Sequence, residues 1–597
     1  MAAEASGGTF GPMDLRSLPV VDRLPGIGRS TTPLVLEVDL SRGVLEQAPA
    51  DPLSALRQRN TPALASVLRG LRAAARDGDV SAVLLLLGGP VTSTQADEMA
   101  LALREVTAAG TRTVAFAEAY GELGSGTVPY ALASACQTVW VQPSGSVGLT
   151  GVALSMTLLR GALEKLGVQP DFGQRHEYKT AANTFAASEI TEPHREMTRR
   201  LADSVMEHLT ASIAQRRRLS AGVVADAVAR SPLSAAQALE LGLVDRLGYR
   251  DEVYAWLREE IGRDGEMELL FAHRYAARTE SSPVQQMKRR SQPAVGVVDV
   301  RGQIVSGRSR PAGIGGPSAG SDTVVAALHA AADMDDVKAV VLRVDSPGGS
   351  YVASDAIRRA VQQVRASGRP VVATMGSVAA SGGFFVSMPA DRIVALPTTL
   401  TGSIGVLAGK MVLQRTWERL GVVREDVPTG PRSTMFSTLQ PFSDEQWAAL
   451  DAWLDEVYDD FTHKAAEDRN MAWERLEPLA RGRVWTGADA ASHGLVDEVG
   501  GRQRALQVVC ELAGLDPEKV RLVPVPHVPW LERLKPAEST ASPAAALVSS
   551  RSALADVREV LDSPGGPETL ILQLGQLVAG GLAGRGVLSM PGLTQLH

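Results

Sequence analysis

Cysteine is nearly absent from this chain of 597 residues, with Cys136 and Cys510 as its two occurrences. Two cysteines cannot build a disulfide framework or a cysteine-rich zinc site, and they read as small buried apolar residues. Charge of one sign is lacking too. The 60 Lys and Arg stand against 67 Asp and Glu, a net of −7, so no basic surplus draws the chain to nucleic acid. Long hydrophobic runs are also missing, although a spanning helix needs about 20 mostly apolar residues. The uncharged stretches Leu123–Leu159 and Pro370–Ala390 are broken by Pro143, Gly376 and the Ser381-Gly382-Gly383 turn, and read as buried strands and turns. Thr569–Gly584 is apolar over 16 residues but holds Gln573, Gln576 and four glycines; a packing helix or a weak surface anchor is expected there. Residues 1–32 have no basic start leading into an apolar stretch, so no signal peptide is read. A Walker motif is absent.

What is present is globular composition, 45% hydrophobic and 21% charged, in a chain too long for one core. The strongest internal signal is self-similarity. VSAVLLLLGG from Val80 matches VKAVVLRVDSPGG from Val337, an offset of 257 that continues through TRTVAFA at Thr111 and GRPVVAT at Gly368. The same offset aligns GSVG (Gly145–Gly148) with GSIG (Gly402–Gly405). Farther on, LEKLGV pairs with WERLGV and ALELGLVD with AASHGLVD. A period this long is a duplicated domain rather than a solenoid. Within each copy, short apolar runs such as Ala339–Val344, Val371–Thr374 and Arg392–Leu396 alternate with helical patterns such as Ser354–Ala366. That alternation predicts an α/β fold with buried parallel strands. The expected organisation is a leader (1–32), a first domain (33–263), a connector (264–294), a second domain (295–523) and a Pro/Ala-rich tail (524–597). Lys288, Arg289 and Arg290 read as a solvated part of the connector.

Chemistry is expected where the copies differ. Asp345-Ser-Pro-Gly-Gly-Ser350 follows a predicted strand, and Gly348 and Gly349 let the backbone aim an N–H at a substrate oxygen. Ser381, at a Gly-rich strand-to-helix turn, has the form of a nucleophile elbow. The first copy has Gly88-Gly89-Pro90 and Gly124-Ser125-Gly126-Thr127 at the corresponding places. Serine needs a base. His176 and His194 sit in polar segments with no aspartate motif and read as surface residues. Lys179 lies between Tyr178 and Phe185, which can dry it and so lower its pKa. Its counterpart in the second copy is Ser433, beside Arg432, and arginine does not deprotonate. A serine without a lysine in one half and a lysine without the serine motif in the other predict one composite site per pair of halves.

On YKTAANTF, DSPGGS, MGSVAASGGFF and LTGSIG, the chain resembles the long form of the bacterial signal peptide peptidases (protease IV type). These are S49 serine peptidases of the Clp protease/crotonase-like superfamily, and the resemblance runs from about residue 33 to 510. It implies tandem duplicated crotonase/Clp-protease-like domains with parallel sheets and flanking helices. It also implies Ser381 as nucleophile, Lys179 as general base, Ser403 as the residue orienting that lysine, and the amides of Gly349 and Gly382 as oxyanion donors. No cofactor or metal is implied. The implied substrates are extended apolar peptides such as cleaved signal peptides, and the implied assembly is a homotetramer with its sites inside. The long form usually opens with a membrane span, which residues 1–32 lack. Membrane association, through peripheral contact, is therefore expected from the resemblance alone, with a cytoplasmic setting as the alternative. Two rival readings stay open: a non-catalytic scaffold of the same fold, and a crotonase-type acyl-CoA enzyme, which would need neither Lys179 nor Ser403.

Overall fold

The computed structural model describes residues 32–46, 60–262, 266–280, 291–313, 316–525 and 588–589. The readings made for residues 1–31, for Lys288, Arg289 and Arg290, and for Thr569–Gly584 lie outside the described residues.

The first half is built on β1 (Leu34–Leu40), β2 (Val80–Leu87), β3 (Arg112–Ala117) and β4 (Thr138–Val141). β5 (Ser146–Val147), β6 (Gln169–Gln174), β7 (Leu233–Ser234), β8 (Arg246–Leu247) and β9 (Glu268–Phe271) follow. Its main sheet runs β8-β4-β3-β2-β1-β9 with every pair parallel. In β2, all but one position is buried, as expected of a parallel strand covered by helices on both faces. The helices used below are α1 (Ser93–Ala108), α2 (Thr127–Ala133), α3 (Arg160–Leu166) and α4 (Glu192–Arg217).

The second half repeats the plan with β10 (Ala294–Arg301), β11 (Gln303–Val305), β12 (Arg310–Gly313), β13 (Gly316–Gly320), β14 (Val337–Ser346), β15 (Gly348–Gly349) and β16 (Val371–Ala380). Next come β17 (Arg392–Ala395), β18 (Leu400–Gly402), β19 (Leu407–Val412), β20 (Val484–Thr486), β21 (Glu498–Val499) and β22 (Arg521–Pro524). Its sheet runs β20-β18-β16-β14-β10-β22, with β17 beside β16 and β21 beside β17. A smaller sheet, β12-β13-β11-β15-β23, ends on a strand from the C-terminal tail, β23 (Leu588–Ser589). The matching helices are α5 (Tyr351–Ala366), α6 (Gly382–Ser387), α7 (Gln414–Arg419) and α8 (Asp444–Asp468). α5 begins before the expected Ser354 because the Ser350 hydroxyl accepts from the Ala353 amide and caps it.

Residues 264–294 are more than a connector. β9 pairs with β1, and the helix Ala272–Glu280 packs on the helix Leu64–Arg76 so closely that a Cβ on Gly70 would lie 2.2 Å from the Ala272 carbonyl oxygen. β22 pairs with β10 in the same way. Each copy thus closes on a strand added outside its own first strand. A four-residue strand with two exposed positions carries too little periodicity to be read from sequence.

The halves interlock. β6 of the first half pairs antiparallel with β19 of the second, from Gln169 against Val412 to Gln174 against Leu407. Met197 and Leu201 of α4 share a small core with Ala380, Leu400 and Val484.

The repeat register also differs from the sequence alignment at one block. The Ser381 amide donates to Gly402 O at 2.7 Å, and the Gly126 amide donates to Gly148 O at 2.8 Å. β18 pairs with β20 as β5 pairs with β7. Space therefore matches Gly148 with Gly402, an offset of 254 rather than the 257 that aligns GSVG with GSIG. The spatial counterpart of Ser403 is thus Leu149. Repeated glycines in a short motif let the text slide by three residues, while the sheet bonds do not.

Candidate active site

β16 brings the chain into the site as a ten-residue, mostly buried strand, and α6 takes it away. Ser381 stands at that junction with φ 56° and ψ −114°, a backbone conformation that costs a non-glycine residue about 1–3 kcal/mol. Two bonds hold it there: its amide on Gly402 O, and its carbonyl accepting from the Phe385 amide at 2.9 Å. The two glycines after it are required by crowding. A Cβ on Gly382 would lie 2.8 Å from Ser354 Oγ and 3.1 Å from the Gly349 nitrogen, and one on Gly383 would lie 2.5 Å from Ser346 O. These contacts also place β15 directly beside the serine turn.

Gly348 and Gly349 adopt φ of 104° and 156°. A Cβ on Gly349 would lie 2.0 Å from Ile304 O, so this position admits only glycine. Ser350 uses its amide to donate to Ile304 O at 2.8 Å. Successive strand amides point to opposite sides, so the Gly349 N–H faces away from β11, toward the serine side. Gly382 opens α6, where first-turn amides have no partner within the helix. The Asp345 carboxylate, its pKa raised mainly by burial, accepts from the Val378 amide at 3.2 Å and holds the bulge between β14 and β16.

Lys179 arrives from the other half and within the same chain. Its loop is clamped at both ends by the second half. On one side β6 runs along β19 and the Arg175 amide reaches Val406 O at 3.0 Å, with the Arg175 guanidinium on Asp451. On the other side α4 is anchored through Met197 and Leu201. Between these clamps, Lys179 Nζ lies 2.8 Å from Ser381 Oγ, 3.0 Å from Ser403 Oγ and 2.9 Å from Ser403 O. Lys179, Ser381 and Ser403 are all fully buried. Burial holds the lysine pKa well below its usual value, and no carboxylate opposes it.

The wall over the lysine was not legible in the sequence. A Cβ on Gly482 would lie 2.5 Å from Lys179 Cα and Cβ, and one on Gly405 3.3 Å from Lys179 Cδ. The Gly482 amide donates to Ile404 O and the Ser403 amide to Arg483 O, each at 2.7 Å. Gly405 had a local signal in the TGSIG block; Gly482, far along the chain, had none.

The remaining candidates fall outside the cluster. Ser433 is exposed, bonded only locally to Gly430 O at 2.9 Å. His176 is exposed, its ring tilted against that of Tyr458 with centroids 4.4 Å apart. His194, read as a surface residue, is buried instead, and burial lowers its pKa. It shares the inward face of α4 with Met197, Thr198 and Leu201, an i, i+3, i+4, i+7 pattern that the surrounding charges obscured.

Comparison with known proteins places this geometry. The model of Peptidase family S49 matches residues 107–263 and 363–516, and that of Clp protease matches 316–401. The chain is 30% identical to Protease 4 of Salmonella typhi over 76% of this chain and 72% of that protein. It is 29% identical to the chloroplastic serine protease SPPA of Arabidopsis thaliana over 67% of this chain, a match spanning 59% of that protein's length. Protease 4 of Haemophilus influenzae is also 29% identical, over 67% of this chain and 64% of its own.

Proposed function

The chain belongs to peptidase family S49, and on that premise we propose that it is a serine endopeptidase working through a Ser381–Lys179 dyad. The observation that carries the reading is a fully buried lysine nitrogen 2.8 Å from the hydroxyl of a serine held at a strained turn. A neutral amine has two N–H donors and one lone pair. The Ser403 carbonyl can only accept, and the Ser403 hydroxyl takes the second donor. The lone pair is then left for the Ser381 O–H. Ser403 in this way selects the direction in which Lys179 is basic.

In the proposed reaction, Lys179 takes the Ser381 proton as Oγ attacks the peptide carbonyl. The amides of Gly349 and Gly382 stabilise the oxyanion. The C–N bond breaks as Lys179 returns the proton to the leaving amine, and water, deprotonated by the same lysine, hydrolyses the acyl-enzyme. The β15 edge suits an extended peptide added as a strand, in keeping with apolar segments such as cleaved signal peptides as substrates.

The repeat also supports assembly into a closed ring, read as a homotetramer. The internal β6–β19 contact has a counterpart pair of segments in the repeat. Among the described residues, neither 153–158, the counterpart of β19, nor 423–428, the counterpart of β6, forms a strand, and Val423 and Val427 are 95% and 85% exposed. Pairing 153–158 with 423–428 of the next copy would repeat the internal joint head to tail, and a head-to-tail contact forms a ring when its rotation closes. A peripheral membrane setting is carried over from the family resemblance; no helix among the described residues is long and apolar enough to cross a bilayer.

The test is intact mass spectrometry after a fluorophosphonate probe, with Ser381→Ala and Lys179→Ala alongside. An adduct on the parent chain that is lost in both variants supports the dyad. A folded parent that takes no adduct would favour the scaffold reading.

A further inference from the structure

The tail returns to the site. β23 lies antiparallel on β15, with Ser589 opposite Gly348 and Leu588 opposite Gly349. On its other side β15 is bridged to Ile304 of β11, so the tail occupies the edge that faces the serine turn. Gly348 and Gly349 adjoin Gly382, the residue after Ser381. An extended peptide presenting a carbonyl to Ser381 would use this same edge and the same Gly349 amide. Tail and substrate therefore cannot bind there together.

We infer that the C-terminal segment around Leu588–Ser589 is a tethered ligand of the substrate cleft, seated as a strand on Gly348–Gly349, and that it holds the resting enzyme below its full activity. This rests on the reading of Ser381 as the peptidase nucleophile. The sequence suits the role. Val587-Leu588-Ser589-Met590 is a short apolar segment between Gly586 and Pro591, and proline, having no N–H, ends a strand. Reach is sufficient. Residues 526–587 separate the tail strand from the core, and a backbone of that many residues can extend to at most about 200 Å, so covalent reach does not limit the contact. Tethering makes the binding intramolecular and raises the segment's local concentration above that of a free peptide, which lets main-chain bonds compete with dilute substrate. The ligand class of the cleft follows: an uncharged, extended, apolar peptide bound mainly through its backbone.

The experiment compares the full chain with its Leu588→Pro/Ser589→Pro variant, which removes the backbone N–H at both positions of the tail strand, including the one directed at β15, and touches nothing in the core. For a short chromogenic apolar peptide, KM is expected to fall about tenfold with kcat unchanged, and the fluorophosphonate labelling rate to rise by a similar factor. A second arm removes catalysis. In a Ser381→Ala background, a fluorescein-labelled peptide spanning residues 584–594 should bind about tenfold more tightly when the proline pair is present, read by anisotropy. Shortening of the tail in the purified parent chain, absent from Ser381→Ala, would also support occupancy. Equal KM, equal labelling and equal peptide affinity with and without the prolines would overturn the inference. If no chain takes the probe, the peptidase reading fails instead, and the anisotropy arm still decides whether the tail occupies the cleft.

Discussion

At the turn where the second half carries Ser381, the first carries Gly126, and where the second carries Ser403, the first carries the fully buried Leu149. Both turns are held by the same amide-to-glycine bond, and both feed a short buried helix, α6 and α2. The oxyanion edge differs as well. Counting back from the capping residues of α1 and α5, Thr92 and Ser350, Gly348-Gly349 corresponds to Pro90-Val91, which forms no strand. The counterpart of the proposed donor Gly349 is Val91, whose amide lies outside any strand. In exchange, the first half sends the lysine. The frame tolerates loss of chemistry because its stability lies in buried strands and glycine turns, which both copies keep. What separates the halves in chemistry is a few side chains, Ser381, Ser403 and Lys179 among them, rather than the sheet frame. Ser381 in its positive-φ turn even costs stability.

This contrast can be broken at its active end. Ser381→Ala and Lys179→Ala should each lower kcat/KM on the order of 10⁴-fold, and Lys179→Arg should do the same because a guanidinium stays charged. Substantial turnover by Lys179→Arg in a steady-state assay would remove the lysine as base. The pH profile sharpens the point. Burial lowers the Lys179 pKa, so the active, neutral form is lost as pH falls through that depressed value, and kcat/KM should drop about tenfold per pH unit below it. Stability has the matching sign. The unfolded chain binds the proton that the folded lysine rejects, so the parent should gain stability relative to Lys179→Ala as pH rises toward about 10. Thermal melts across that range would show it.

Ser403→Ala should cost roughly 10–100-fold in kcat/KM and move the acid limb of the profile, since Lys179 loses one of its two Ser403 acceptors. An unshifted limb would reduce Ser403 to packing. In the silent half, Leu149→Ser restores the serine of the motif without creating a site. Activity should change less than about threefold, while stability falls by about 3–5 kcal/mol in a denaturant titration, the usual consequence of emptying a buried leucine position and leaving a hydroxyl there. The smallest effect is expected from Ser433→Lys. It installs a lysine at the sequence counterpart of Lys179, but on an exposed loop, and activity and melting temperature should stay at parent values.

Much of this was legible before any coordinates. Duplication, the α/β alternation and the elbow at Ser381 are local features, and buried parallel strands announce themselves as apolar runs. Other features were read wrongly or missed for identifiable reasons. The register of the GSVG and GSIG blocks slipped because repeated glycines align equally well in two ways. His194 was hidden by charged neighbours on the outer face of its own helix. The strand Glu268–Phe271 is too short and too exposed to signal itself.

By itself the sequence determined which residue types were available. It supplied a serine at a glycine-rich turn, a lysine between aromatic residues, and two half-motifs that complement each other. The tertiary structure alone decided that Lys179 and Ser381 lie 2.8 Å apart within one chain, that Gly482 closes over the lysine, and that Leu588–Ser589 pair with Gly348–Gly349. The physical reason is range. Turns and strands are set by neighbours a few residues apart, whereas the pKa of Lys179 depends on water excluded by segments hundreds of residues away, which only packing brings together.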